Sequence, residues 1–86
     1  MGMITSDARL DALRHACVKY VERMCMLDDV WFYRNSEEFT QRAKMYWAQF
    51  EHMVSKFVDL NATVVVERDV EGSGSATVYW KAKDEA

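Results

Sequence analysis

Between Asn35 and Leu60 the apolar residues recur at the three-and-four spacing of a helix with one side buried. Placed at about 100° per residue, Phe39, Ala43, Tyr46, Trp47, Phe50, Met53, Val54, Phe57, Val58 and Leu60 form one continuous arc roughly 160° wide. Gln41, Lys44, Glu51, His52, Ser55 and Asp59 fall on the other side. The pattern predicts a helix over 36–60. Asn35 or Ser36 is its cap, Glu38 stands at capping-box distance from Asn35, and Glu37 and Glu38 place negative charge where the helix dipole favours it. So wide an arc needs two neighbours: another helix on one flank, and a sheet or a second copy of the chain on the other.

The same spacing predicts an earlier helix over 6–27, capped by Thr5, Ser6 or Asp7 after a loose lead-in. Its apolar arc is Leu10, Leu13, Cys17, Tyr20, Val21, Met24 and Leu27. Its polar arc is Asp7, Asp11, Arg14, His15, Lys19, Glu22 and Arg23, with Val18, Cys25 and Met26 as a small apolar patch on or near that side. Asp28 and Asp29 end the helix weakly, with negative charge at the unfavourable pole. The link that follows, residues 30–35, is rich in Val and aromatics and reads as extended, with 30–34 as a candidate third strand.

After Asn61 the period changes to two. Two β-rich runs flank Gly72-Ser73-Gly74-Ser75, which predicts a β-hairpin over 63–83. Val64, Val66 and Val70 on one strand, and Ala76, Val78, Trp80 and Ala82 on the other, are assigned to the core. Thr63, Val65, Glu67, Thr77, Tyr79, Lys81 and Lys83 are assigned outward, with Glu67 close to Lys81 or Lys83 if the register allows. The predicted fold is a single α+β domain over 1–86 in the order ααββ, a two-helix hairpin packed on a C-terminal β-hairpin. A lone two-stranded sheet is marginal and leaves two unpaired edges. The 30–34 segment, a second subunit or a target protein would complete it.

Composition strengthens that expectation. Half of the 86 residues are hydrophobic and 13% are aromatic, which is rich for a domain that buries only about 60% of its unfolded surface. A homodimer is the expected state. The net charge of −3 is spread along the chain. Phosphate binding draws mainly on Lys and Arg, so direct nucleic-acid binding is not expected, and a protein partner with a basic surface fits better. Cys17 and Cys25 lie eight residues apart on one helix, about 12 Å along its axis, too far to bridge. They read as reduced, part-buried thiols. With no apolar signal core near the N-terminus and no run long enough to span a bilayer, the expected location is the cytoplasm, with no membrane partner.

Candidate chemistry is sparse. His15 and His52 fall on polar faces with no metal-ligand spacing around them. Neither cysteine has a local base. The glycines at 72 and 74 precede a strand, whereas a phosphate loop feeds a helix. No catalytic residue, metal or cofactor is therefore assigned, and an enzyme is not expected. The informative cluster is Trp31, Phe32 and Tyr33 with Arg34, residue types enriched at binding hot spots. Three aromatics in one short link are hard to bury together, so at least one should be exposed or held by another chain. Tyr79 and Lys81 on the outer sheet face join them as candidate protein-binding residues.

The expected function is a small cytoplasmic interaction protein that inhibits or adapts another protein. In length, acidity and lack of catalytic groups the chain resembles the small accessory and counter-defence proteins of bacteriophages and mobile elements. The alternative is a homo-oligomeric small-molecule or nucleotide binder, a sponge or sensor, with the aromatics lining an inter-subunit pocket. In its base-stacking form, Arg34, Lys44, Lys81 and Lys83 would supply the cations. A structural subunit of a larger assembly is a third, minor reading.

Overall fold

The computed structural model describes residues 2–69 and 74–83, with side chains from residue 8 onward. Helix α1 spans Gly2–Leu27, a 3₁₀ turn spans Val30–Tyr33, and helix α2 spans Glu37–Val54. Strands β1 (Ala62–Arg68) and β2 (Ala76–Ala82) then pair antiparallel. The architecture is the ααββ arrangement that the sequence pattern predicts. β2 lies against α1 and β1 against α2, so each helix has both a helix and a strand as neighbours.

Four local expectations need correcting. First, the lead-in is helical, because α1 begins at Gly2 and runs through Thr5, Ser6 and Asp7. Second, the link is not a strand. Asp29 takes a left-handed backbone, which Asp tolerates better than most residues, and the chain coils into the 3₁₀ turn. The turn closes where the Ser36 N–H donates to the Tyr33 carbonyl at 2.8 Å. Third, Ser36 alone caps α2: its hydroxyl accepts from the Phe39 N–H at 3.2 Å, so Glu38 is not at the capping-box position.

Fourth, α2 ends at Val54, six residues before the predicted end. The Ser55 hydroxyl donates to the His52 carbonyl at 2.8 Å, and the last turn loosens over the next residues. Asn61 then adopts a left-handed conformation, and Leu60 swings under the helices to become fully buried. Once the helical path is lost, the angular argument for the residues near its end fails with it. Phe57 is 86% exposed and Met53 54% exposed, although both were assigned to the buried arc.

In the sheet, Ala62 stands opposite Ala82, Val64 opposite Trp80, and Val66 opposite Val78. The inner face therefore carries the assigned residues, with Val64, Val78, Ala62 and Ala82 buried. Val70 and the turn at 70–73 lie outside the described residues. Glu67 faces Thr77 in this register, and Lys83 lies 3.8 Å from Glu51 of α2, so neither Lys81 nor Lys83 pairs with Glu67.

The core joins Cys17, Val21 and Cys25 of α1 to Phe39, Ala43, Tyr46 and Trp47 of α2, closed below by Leu60 and the inner sheet face. Cys25 belongs to the centre of this core, where the pattern had placed it near the polar side. A helix between a helix and a sheet has two buried stripes, and a single-arc reading recovers only one. Leu27, assigned to the buried arc, is 73% exposed because the chain turns away beneath it.

The largest departure is Arg14, assigned to the polar arc and found buried. Its Nε donates to the Leu60 carbonyl at 2.8 Å and its Nη2 reaches the Asn61 carbonyl at 3.5 Å. Asp11 pairs with it at 3.2 Å, and the guanidinium sits over the Trp80 ring at 4.7 Å. One side chain thus joins α1, the α2–β1 connection and β2. Hydrogen bonds to charged groups are worth about 1.5–3 kcal/mol, and a buried carbonyl left without a donor costs a similar amount. Arg14→Met is expected to lower unfolding free energy by about 2–4 kcal/mol in urea denaturation. Arg14→Lys should recover little of it, because an ammonium cannot span both carbonyls and stack on the indole. A stability loss below about 1 kcal/mol for Arg14→Met would show that the buried guanidinium is not the tie described here.

Candidate functional site

The corner between α1 and α2 begins with Asp28. The Arg42 guanidinium donates to its carboxylate at 2.7 Å, and the Tyr46 hydroxyl donates to the same oxygen. These donors, Tyr46 first and Arg42 second, hold the Asp28 carboxyl below its usual range. The same pairing raises the Tyr46 phenol, so it stays protonated and able to donate. Glu38 is also close to Arg42, at 3.9 Å, a looser i,i+4 pair along α2. Asp28 therefore fixes the end of α1 to the middle of α2.

The 3₁₀ turn is built on that anchor. A strand would send Val30 and Phe32 to one face and Trp31 and Tyr33 to the other. Three residues per turn separates them differently. Val30 is buried, and Trp31 packs edge-on against Phe39 with ring centroids 5.8 Å apart. Arg34 stacks on the Trp31 ring at 4.7 Å, and its Nη1 donates to the Trp31 carbonyl at 2.7 Å. Phe32 and Tyr33 are left outside, 77% and 57% exposed. Leu27 and half-exposed Met26 stand in the last turn of α1, the helix that packs against this turn.

Of the six sequence-assigned residues, four come together here: Trp31 and Arg34 as the support, Phe32 and Tyr33 as the presented surface. Tyr79 and Lys81 do not join them. They stand on the outer face of the sheet, on a different side of the domain. Sequence reasoning missed Leu27 and the Asp28–Arg42–Tyr46 group. The doublet Asp28-Asp29 directly after Leu27 was the available signal that the helix stops there and exposes its last apolar residue. The charges at this corner are mixed: Asp28 and Glu38 both pair with Arg42, Arg34 lies on Trp31, and Asp29 stands between α1 and the turn.

The other candidate groups are occupied or inert. Arg34 is engaged with Trp31 and Lys83 with Glu51, so the cations considered for base stacking do not converge. Both cysteines are free and fully buried rather than part-buried. Burial, reinforced by Glu51, pushes the Cys17 thiol up to about 12. Burial, with Asp28 as the largest charge effect, pushes Cys25 up to about 11. His52 is exposed, and no group of His, Cys, Asp and Glu among the described residues could hold a metal ion. No helix among them is long and apolar enough to cross a membrane. Compared with known protein families, curated proteins and solved structures, the chain matches none.

Two outcomes follow from this geometry. Iodoacetamide at pH 8 should leave both thiols unmodified in the folded protein and label both in denaturant, as read by intact mass. Rapid labelling of either one without unfolding would contradict the packed core. Asp28→Asn should destabilise the domain at neutral pH. A carboxylate whose folded pKa is depressed stabilises above its unfolded pKa of about 3.9 and loses that contribution as pH falls through the folded value. The stability gap between native and Asp28→Asn proteins should therefore be constant above about pH 5 and shrink below about pH 4. A gap that grows on acidification would show that the pairing has the opposite sign.

Proposed function

We propose that the protein is a small protein-binding module, and that the corner patch of Phe32, Tyr33, Leu27 and Met26 is its contact surface. The observation that carries this reading is the exposure of large apolar side chains on a turn that is otherwise rigidly held. Phe32 and Tyr33 on the turn, and Leu27 and Met26 at the end of the helix packed against it, stand out in water while Val30, Trp31, Arg34 and Asp28 of the same segment are packed, stacked or hydrogen-bonded. Single exposed apolar residues are ordinary, but contiguous ones mark interaction sites. A preformed patch also loses little conformational freedom on binding.

The partner is a protein surface with an apolar pocket for Phe32, and the chain's net charge of −3 favours basic residues around the rim of that contact. Charges at such a rim steer encounter and suppress wrong partners more than they add affinity. An inhibitor or adaptor role follows if the occupied pocket is one the partner uses itself.

The test is comparative. The tagged native chain and a Phe32→Ser/Tyr33→Ser double variant are passed over the same extract of source cells, and captured proteins are quantified by mass spectrometry. The expected result is a partner retained by the native chain and reduced at least tenfold with the variant, with circular dichroism and melting temperature unchanged. Truncating exposed hot-spot aromatics typically costs at least about 2 kcal/mol of binding, which is of that order. Equal capture by a folded variant would rule the patch out. A nucleotide-dependent rise in melting temperature would instead favour the small-molecule reading.

A further inference from the structure

The helical layer is wider than the sheet beneath it. Two packed helices about 10 Å apart make a layer roughly 20 Å across, while two strands about 4.8 Å apart cover roughly half of that. The ion pairs between sheet and helices all go to α2, from Arg68 at the end of β1 to Glu37 at 2.6 Å and from Lys83, directly after β2, to Glu51 at 3.8 Å. Among the described residues no ion pair joins β2 to α1, which meet through Trp80 against Arg14 and His15. An open groove of about 420 Å³ remains there, with Val18, Lys19 and Glu22 of α1 on one wall and Val78, Tyr79 and Trp80 of β2 on the other.

The backbone of β2 sets what can occupy this groove. The Lys83 N–H donates to the Asn61 carbonyl and the Asp69 N–H to the Ser75 carbonyl, both at 3.0 Å. Antiparallel pairing alternates, so Thr77, Tyr79 and Lys81 turn their peptide groups toward β1. Ala76, Val78, Trp80 and Ala82 turn theirs outward along the groove. A row of alternating donors and acceptors at strand spacing is matched by another extended peptide. We propose that the groove takes an extended segment of a partner protein as a third strand on the β2 edge. Its alternate side chains are apolar and face Val18, Val78 and Trp80, and one is a carboxylate facing Lys19 and Arg23.

Charge selects the carboxylate. The groove runs on along α1 past Lys19, Glu22 and Arg23 to Met26, so its helical wall has two cationic side chains against one anionic one. His15 Nδ1 stands 2.8 Å from the Asp11 carbonyl and 3.3 Å from the Trp80 indole N–H, donating to the first in one tautomer and accepting from the second in the other, so it is engaged within the domain in both. It therefore closes the far end beside Trp80 rather than reaching for the occupant. A second copy fits less well. Its β2 would arrive with its own α1 overhanging the same edge, bringing two helix axes closer than the 8–10 Å that side chains require. Because the groove ends at Met26, a strand seated in it leads toward the corner patch, but the two surfaces can be tested separately.

The test uses ¹⁵N-labelled protein and a capped heptapeptide, Ser-Val-Thr-Val-Thr-Asp-Thr, with amide hydrogen exchange as readout. At about 1 mM peptide, a weak but measurable regime, exchange at Val78 and Trp80 is expected to slow roughly tenfold while Val64 and Val66 stay unchanged. A peptide with lysine in place of the aspartate, and the exposed-site variant Lys19→Glu with the original peptide, should each weaken the protection several-fold. Phe32→Ser/Tyr33→Ser should leave it intact, which separates this site from the corner patch. Unchanged exchange at Val78 and Trp80 with peptide present overturns the proposal. So does protection that rises with protein concentration alone, which would make the occupant a second copy.

Discussion

The guanidinium of Arg14 is the constraint on which the two halves of the fold depend. The helical hairpin is held by α1–α2 packing and the β-hairpin by its own ladder, but they meet at a short connection whose carbonyls must find donors. Arg14 supplies them from α1, over the Leu60 and Asn61 carbonyls, while its planar face lies on Trp80 of β2. A buried charge is costly unless fully bonded. Here Asp11 at the solvent edge and two carbonyls within satisfy it. The geometry is demanding, and it couples the rotation of α1 about its axis to the placement of Leu60 and Asn61 after α2 and to the position of Trp80 in the sheet.

That arrangement leaves the domain long and thin. Its radius of gyration is 13.8 Å, against about 12 Å for a compact chain of 86 residues. The cause is the mismatch of element lengths: 26 residues of α1 lie beside 18 of α2 over a two-stranded sheet. A short chain shaped this way cannot cover its own apolar side chains. Leu27, Phe32 and Phe57 are exposed because none of the described elements covers them. The same shortage accounts for the open edge of β2 and the groove beneath α1.

How much of this was legible depended on whether a feature is local. The helices, the hairpin, the Ser36 cap and the faces of both strands follow from period and turn chemistry, which are properties of neighbouring residues. The path after α2 was not legible, because the burial of Leu60 and the bond of its carbonyl to Arg14, 46 residues earlier in the chain, are tertiary. Cys25 and Arg14 were misplaced for one shared reason: α1 is buried on two sides, and a wheel with a single arc assigns one of them to solvent. The 3₁₀ turn hid behind β-favouring side chains. Val30 and Trp31 prefer strands when they have a sheet to join, but here tertiary packing on Phe39 decided the conformation. At the candidate site the aromatic cluster was visible and its division was not: which of three neighbouring rings faces out depends on three residues per turn rather than two.

As the proposed contact surface, the corner patch would owe its specificity to the group beneath it rather than to the exposed rings. Phe32 and Tyr33 alone, on a loose loop, would offer an adaptable and weakly selective surface. Asp28, bonded to both Arg42 and Tyr46, instead ties the turn to the part of α2 that forms the core, and Arg34 clamps Trp31 from outside. Trp31 packs on Phe39 and Asp28 is bonded to Tyr46, so the backbone that carries Phe32 and Tyr33 is held to the core. A surface of this kind would bind with little ordering cost but accept few shapes. The price of that selectivity would be apolar area left open to water until the partner covers it.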